Sequence, residues 1–153
     1  MVNTASTGPS GGPTRILALD FGSRNIGLAI TDPLGLTAQG LPTLRRSTKR
    51  NDLDYLRRLI KQHAVGEIVI GLPLRMSGIE GIQSQKVHQF AEELRRKFKL
   101  PVHLYDERLT SVEANRLLRE TEMSIRRRAA VVDLMAAVLI LQSFMEFRRS
   151  QAR

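Results

Sequence analysis

Residues 15–32 have the sequence RILALDFGSRNIGLAITD, in which two apolar runs are separated by a short link that contains Gly22. The first run predicts a buried strand, and it ends on Asp20, a residue type that strand interiors disfavour. A carboxylate with apolar neighbours loses hydration, which is unfavourable unless a positive partner compensates. A metal ion is the usual candidate for that partner. The segment therefore predicts a pair of antiparallel strands with a functional acid near the end of the first.

Two further acids have comparable surroundings. Glu107 follows the strand-like sequence VHLYD, and Asp133 is the only charged residue of the apolar stretch 129–145. An unpaired buried charge costs several kcal/mol, so each acid requires a partner. Structural interpretations remain open, because Asp20 could cap the turn at Gly22 and Asp133 could pair with an arginine. Three such acids nevertheless favour a metal-dependent site.

The choice between two adjacent acids stays open at this point. Asp106 and Glu107 alternate along the same predicted strand, so their side chains lie on opposite faces. The sequence does not show which face carries the site. Glu113 is expected to be a solvated helix charge, and the histidines at positions 63, 88 and 103 lack the spacing of metal ligands.

Length and composition limit the classes of protein. A chain of 153 residues fits one domain, which we place at residues 15–150, and the Gly, Ser, Thr and Pro-rich residues 1–14 predict a flexible N-terminal tail. Cysteine is absent, so carboxylates become the expected ligands, and Mg²⁺ or Mn²⁺ the expected ions. The stretch 129–145 is shorter than the ~20 apolar residues that span a bilayer, and we predict a buried helix there. Neither a membrane segment nor an export signal is expected.

The charge predicts a polyanionic partner. The chain has 24 Lys and Arg against 15 Asp and Glu, a formal net charge of +9. Such an excess favours nucleic acid through counterion release, although a merely basic surface is the simpler alternative. Aromatic residues are few, so phosphate contacts are expected more than base stacking. The basic clusters are Arg45, Arg46, Lys49 and Arg50, then Arg95, Arg96, Lys97 and Lys99, then Arg126, Arg127 and Arg128.

Apolar periodicity and chain breakers predict three strands followed by alternating helices and strands. This order predicts an α/β fold with a five-stranded mixed sheet and helices on both faces, which matches the ribonuclease H-like fold. A helix N-cap is expected at Asn51 or Asp52. The predicted strands are 15–20, 25–31, 36–43, 67–73 and 102–106. Four helices are predicted: one that starts near residue 51, one that ends before Pro101, one over 112–120 and one over about 126–148.

Convergence of the three acids would define a reaction. Close carboxylates repel one another, and two divalent ions about 3.5 to 4 Å apart relieve that repulsion and hold a phosphodiester. One ion would activate the attacking water and the other would neutralise the leaving oxygen, giving in-line hydrolysis. The segment GLPLRMSGIEG could place backbone amides and Arg75 against phosphate, although a surface loop without a role is the alternative.

Four motifs in order, DFGSRNIGLA, GLPLRMSGIEG, YDERLTSVEA and VVDLMAAVLILQ, resemble the YqgF family, also called RuvX. Its members are described as Holliday junction resolvases or pre-16S rRNA nucleases. The resemblance implies a ribonuclease H-like nuclease with Asp20, Glu107 and Asp133 as a catalytic, metal-binding triad, and it favours Glu107 over Asp106. The chain departs from the family pattern at Arg24 and Asn25, where Lys or Thr followed by Arg is usual. The expected substrate-binding residues are Arg24, Asn25, Arg75, Arg108, Arg126, Arg127 and Arg128.

The resemblance also implies the biological setting. Family members are thought to trim the 5′ end of the small-subunit ribosomal RNA precursor in the cytoplasm, whereas an older proposal is cleavage of four-way DNA junctions. Fold does not decide between these substrates. A resolvase is expected to act as a homodimer, and RNA trimming needs only a monomer. Two other classes are weaker alternatives: an actin-like ATPase or sugar kinase, which needs a second domain, and an RNA-binding module without catalysis.

Overall fold

A computed structural model of the chain describes residues 14–73, 81–106 and 125–152, with the backbone alone described for 125–134. Five strands and three helices lie in these ranges. The strands are β1 (Arg15–Phe21), β2 (Asn25–Thr31), β3 (Ala38–Arg45), β4 (Val65–Leu72) and β5 (Val102–Asp106), and the helices are α1 (Lys49–Gln62), α2 (Ile82–Phe98) and α3 (Ile125–Gln151).

The strands form one mixed sheet in the order β3-β2-β1-β4-β5. The β1–β2 and β2–β3 pairs are antiparallel, and the β1–β4 and β4–β5 pairs are parallel. The carboxyl ends of β1, β4 and β5 therefore lie at one edge of the sheet, which we call the carboxyl edge. The predicted five-stranded mixed sheet is confirmed.

Side-chain alternation along β1 divides the core into two layers. Leu17 and Leu19 pack in the cluster that includes residues of α1 and α2, whereas Ile16 and Ala18 pack in the cluster that includes residues of α3. Helices thus cover both faces, as predicted. Because alternate residues of a strand share a face, Asp20 belongs to the face that α3 covers.

Helix α3 ends at the opposite, amino edge of the parallel strands. Arg148 Nη1 donates to Glu67 Oε1 at 3.0 Å, and Glu67 lies beside Ile16 in the β1–β4 register. Arg149 donates to the carbonyl of Leu36 in the β2–β3 connection at 3.2 Å. Before it reaches these contacts at its C-terminal end, α3 packs on β1, β2, β3 and β4. Its N-terminal part therefore extends toward the carboxyl edge.

The N-cap prediction for α1 is wrong. Thr48 caps the helix, and its hydroxyl accepts a hydrogen bond from the Asn51 backbone at 3.1 Å. Asp52 is 3% exposed and has a different role, because its carboxylate accepts from the Ser47 backbone at 3.0 Å and pairs with Arg46 at 3.6 Å. Asp52 therefore joins the end of β3 to α1 instead of capping the helix.

Strand β3 begins two residues later than predicted, because a side chain holds the preceding turn. The Asp32 carboxylate accepts hydrogen bonds from the backbones of Leu36 and Thr37, both at 2.7 Å. The Thr37 bond is the main reason that the pKa of Asp32 is lowered, with smaller contributions from Leu36 and Leu34. These bonds keep residues 36 and 37 in the turn. Small end shifts also separate the predicted and observed bounds of β1, β4 and α3.

Strand β3 is an edge strand that carries a proline. None of its eight residues is buried, and Pro42 has no backbone N–H to offer to a further strand. The β2–β3 register shifts beside Pro42, between Ile26 and Leu28.

Two predictions lie outside the described residues: the helix over 112–120 and, apart from residue 14, the N-terminal tail. The proposed bounds of the single domain stay predictions. In the described part of the chain, no helix is long and apolar enough to cross a membrane.

Candidate functional site

Asp20 lies near the carboxyl end of β1, half-buried and opposite Gly27 of β2. A cleft of about 280 Å³ opens beside it, between the β1–β2 turn and the end of β3. We call it the Asp20 cleft. Its lining residues are Asp20, Gly22, Ser23, Arg24, Asn25, Gly27 and Thr43.

The β1–β2 turn at this cleft is closed by a short backbone contact. The Gly22 N–H donates to the Asn25 carbonyl oxygen at 2.9 Å. A Cβ on residue 22 would lie 2.8 Å from that same oxygen, closer than carbon and backbone oxygen normally approach. Glycine is therefore required here, and the tight turn places Ser23, Arg24 and Asn25 at its exposed tip.

Arg46 holds the turn from the other side. Its Nη1 donates to the Gly22 carbonyl at 2.9 Å, and its guanidinium lies over the Phe21 ring, 4.5 Å from the centroid. The Arg46 backbone N–H also donates to the Arg24 carbonyl at 2.8 Å. With its ion pair to Asp52, Arg46 links the turn, the end of β3 and the start of α1.

Helix α2 supports the same turn through Phe21. The Phe21 ring stacks on Phe90 with 4.2 Å between centroids, and Gln83 Nε2 donates to the Phe21 carbonyl at 3.2 Å. The residue that follows Asp20 is thus fixed by both core packing and hydrogen bonds. A carboxylate on a backbone this restrained can hold a ligand in a defined geometry.

A second, larger cleft of about 570 Å³ adjoins the first. We call it the arginine cleft. Arg24 and Arg45 are exposed there and form no ion pair with a described residue, and Arg45 lies opposite Asn25 in the β2–β3 register. The sequence indicated Arg45 only as part of a basic cluster, because its placement beside Arg24 depends on strand pairing. The lining residues are Ser23, Arg24, Asn25, Arg45, Arg46 and Ser47.

The structure brings together Asp20, Arg24 and Asn25 from the predicted site. Asp133 lies in α3, where the backbone alone is described, four residues before the buried Ala137. Arg126, Arg127 and Arg128 lie in the first turns of α3, where again the backbone alone is described. Glu107, Arg75 and Arg108 lie outside the described residues. Convergence of the three acids therefore remains a prediction.

A cluster at the amino edge, not anticipated from the sequence, surrounds Glu67. Its carboxylate accepts from Arg148 and lies 2.7 Å from His103 Nε2. Burial raises the pKa of Glu67, but the hydrogen bonds and charges of Arg148 and His103 hold that pKa below its ordinary value. Tyr105 adds a hydroxyl contact of 2.6 Å to Ser143 of α3. The cluster joins β4, β5 and α3, which indicates a structural role.

The donor chemistry of the Asp20 cleft suits a hard cation. Asp20 contributes carboxylate oxygens, which Mg²⁺ and Mn²⁺ prefer over nitrogen or sulfur ligands. Among the side chains of residues 14–73, 81–106 and 135–152, no group of three or more acids or histidines is placed to hold a metal ion. A complete ligand set would therefore need residues such as Glu107 and the Asp133 side chain.

The sheet order and the helices on both faces define a ribonuclease H-like fold. A solved structure agrees: T. thermophilus RuvC in complex with Holliday junction substrate superposes with a TM-score of 0.53. The match covers 89% of this chain and 96% of that chain at 14% sequence identity, so it concerns the fold alone.

Sequence comparison gives the family. The family model described as "RuvX: Holliday junction resolvase" matches residues 14–147, and the chain belongs to this family. A relative from Koribacter versatilis (strain Ellin345), named "Putative pre-16S rRNA nuclease", is 59% identical over 140 residues, covering 92% of each chain. A relative of the same name from Moorella thermoacetica is 48% identical, covering 86% of this chain and 94% of its own. The family resemblance of the four motifs is confirmed.

Proposed function

We propose that this protein is a metal-dependent nuclease that hydrolyses phosphodiester bonds and processes the 5′ end of pre-16S rRNA in the cytoplasm. The observation that carries the proposal is the Asp20 cleft, where a carboxylate at the carboxyl edge shares one cavity with the exposed Arg24. A carboxylate can hold a cation and an arginine can hold a phosphate, so the cleft contains both functions that the reaction requires. The names of the relatives support RNA as the substrate.

The position of Asp133 in α3 supports its assignment to the same site. Ala137 is fully buried in the layer between α3 and the sheet, and residues four apart lie on the same face of a helix. Residue 133 thus occupies the sheet-facing stripe, one turn nearer the N-terminus. Since α3 extends toward the carboxyl edge in that direction, Asp133 is our second member of the triad.

Strand alternation in β5 supports Glu107 over Asp106 as the third member. Tyr105 lies on the α3 face, where its ring contacts Phe144 at 5.9 Å between centroids, and Leu104 packs in the opposite layer. Asp106 therefore falls on the face opposite to that of Asp20. The next residue along an alternating strand returns to the α3 face, which is the basis for choosing Glu107.

The residues would divide the chemistry between them. Asp20, Glu107 and Asp133 would hold two divalent ions, which when bound would supply charge neutralisation and water activation. Arg24 would bind a non-bridging phosphate oxygen, and Asn25 would orient the strand beside it. Water oxygen bonds to phosphorus, the bond to the 3′ oxygen breaks, and that oxygen takes a proton. The products are a 3′-hydroxyl and a 5′-phosphate.

Cleavage of four-way DNA junctions is the second candidate function. The description of the family model favours it. A resolvase needs two sites related by symmetry, so this candidate requires a homodimer, whereas RNA processing is compatible with a monomer. The two candidates therefore differ in both substrate and assembly.

A side-by-side cleavage assay tests the proposal. Wild type, Asp20→Asn and the control Asp54→Asn, which removes a carboxylate from α1, are incubated with pre-16S leader RNA and with a four-way DNA junction. Each reaction contains Mg²⁺, Mn²⁺ or EDTA. We expect RNA cleavage by wild type and Asp54→Asn, and its loss in Asp20→Asn and in EDTA. Paired symmetric nicks in the junction alone would instead establish the resolvase, and cleavage by Asp20→Asn would refute the triad.

A further inference from the structure

We propose that the arginine cleft is a second phosphate-binding subsite, which holds a phosphate of the same substrate strand next to the one cleaved at Asp20. This inference rests on the proposed function and extends it, because it adds a second contact to the strand beyond the scissile phosphate. The ligand class is the sugar-phosphate backbone of single-stranded RNA. Arg24 and Arg45 are the residues assigned to it.

The two clefts adjoin each other. Both are lined by Ser23, Arg24 and Asn25 at the tip of the β1–β2 turn, so the tip forms the boundary between them. A strand that leaves the Asp20 cleft across this tip reaches Arg45 on β3. The volume of about 570 Å³ is in the range of cavities that accommodate small organic ligands, and so it is sufficient for a nucleotide phosphate with its sugar.

Two of the three arginines in the cleft are available for an anion. Arg24 and Arg45 are exposed and make no ion pair with a described residue, whereas Arg46 already pairs with Asp52. A guanidinium binds phosphate with two parallel N–H donors, which makes arginine the preferred side chain for this contact. Arg46 therefore contributes structure, and the other two contribute positive charge that no described acid neutralises.

The walls of the cleft are held before any ligand binds. Arg45 lies at the β2–β3 pairing position opposite Asn25, and the backbone of Arg46 is hydrogen-bonded to the Arg24 carbonyl. The glycine turn at residue 22 fixes the other side. Since little backbone ordering remains to be done, binding loses less conformational entropy than it would in a flexible loop.

The composition of the lining points to phosphate, not to bases. None of its six described lining residues is aromatic, and the neighbouring ring of Phe21 is covered by the Arg46 guanidinium. Without a stacking surface the subsite can add affinity but little sequence preference. The substrate must therefore extend beyond the cleaved phosphate on this side. The gain in binding affinity should depend on the length of the RNA more than on its sequence.

Binding measurements in EDTA test the subsite independently of cleavage. Fluorescein-labelled RNA oligonucleotides, lengthened stepwise from either end, are titrated with wild type, Arg45→Ala, Arg45→Lys and the control Arg57→Ala across a salt series. Arg57 is exposed on α1 and lines neither cleft. We expect Arg45→Ala to bind about two- to fivefold more weakly, and its salt slope to fall by about 0.7. It should also lose the affinity gained by extension from one end, whereas Arg45→Lys should keep the wild-type salt slope with an intermediate affinity, because lysine keeps the charge but not the two parallel donors.

The outcomes separate this inference from the proposed function. If Arg45→Ala and Arg57→Ala have equal slopes and equal length dependence, the subsite is refuted, whatever the cleavage assay shows. If Arg45→Ala alone loses the length dependence while no variant cleaves RNA, the subsite stands and the proposed RNA cleavage fails. Urea unfolding of each variant checks that the weakened binding does not come from loss of the fold.

Discussion

The guanidinium of Arg46 covers the ring of Phe21, with 4.5 Å between Cζ and the ring centroid. Phe21 directly follows Asp20, and its other side stacks on Phe90 of α2. The residue next to the candidate catalytic carboxylate is therefore enclosed between a cation and the core. Arg46 acts as a positioning residue, because it reaches the site through the turn and not through substrate.

Replacing Arg46 by Met should reduce both stability and cleavage. The change removes the hydrogen bond to the Gly22 carbonyl and leaves the buried Asp52 carboxylate without its cation. We expect the free energy of unfolding in urea to fall by about 1–3 kcal/mol. Since the turn loses its support, kcat should fall more than KM rises. Adding Asp52→Asn to this variant should recover part of the stability, and failure to do so would contradict the pairing.

Replacing Gly22 by Ala should distort the turn. The new Cβ would lie 2.8 Å from the Asn25 backbone oxygen, so the turn must open. We expect a loss of about 1–3 kcal/mol in unfolding free energy and a clear loss of cleavage. Gly40→Ala is the matched control, because its Cβ would make an ordinary 3.5 Å contact with Val138 and should change stability by less than about 0.5 kcal/mol. Equal effects of the two changes would contradict this account.

Glu67 should make stability depend on acid pH. Its folded-state pKa lies below the ordinary value of 4.5, so its contribution is complete above that pH and is lost as pH falls through the lower, folded-state value. Glu67→Gln should lower Tm at pH 7 by several degrees, consistent with about 1–3 kcal/mol, and the difference from wild type should shrink toward pH 3. Glu92→Gln, at an exposed pair with Arg95, is the control. A difference that is constant with pH would refute the role of ionised Glu67.

Asp20→Asn should separate binding from cleavage. The amide keeps the size of the side chain but removes a negative charge that repels phosphate, so affinity for RNA in EDTA should be unchanged or slightly higher. Anisotropy titration of the variant and wild type on the same RNA provides the measurement. A large loss of affinity would mean that Asp20 supports the fold of the cleft instead of metal binding.

The arginines at the start of α3 should contribute to binding as a group. Replacing Arg126, Arg127 and Arg128 by Ala should weaken RNA binding and reduce the salt slope by up to about 2, since each lost phosphate contact accounts for about 0.7 on a single strand. The comparison is a triple change at Arg95, Arg96 and Lys97, another basic cluster, near the end of α2. Slopes that match wild type would show that the α3 arginines do not meet phosphate.

The fold could be predicted because its signals are local. The apolar runs on either side of Gly22 specify β1 and β2, and the observed bounds differ from the predicted ones by a single residue. The errors arose where a side chain accepts hydrogen bonds from the nearby backbone. Thr48 caps α1 ahead of the two predicted candidates, and Asp32 delays the start of β3 through its bonds to the turn.

The candidate site was harder to predict because its parts meet across long separations. The Glu67 cluster at the amino edge, outside the candidate site, shows the same difficulty, because Arg148 and Glu67 are 81 positions apart and nothing in either neighbourhood indicates the pairing. Arg24 and Arg45 likewise share a cleft only because β2 and β3 pair in one register. Asp20 could be proposed from the sequence because its apolar approach is itself local. The resemblance alone favoured Glu107 over Asp106, and the layers that the two faces of β5 contact add support to that proposal.

Pro42 has a consequence for how molecules meet one another. An exposed edge strand is a template on which another chain can add a strand, and a basic protein concentrated on an RNA would meet copies of itself often. At Pro42 the missing N–H and the adjacent register shift interrupt that template. Crowding along one transcript should therefore leave the molecules separate instead of joining them through their sheets.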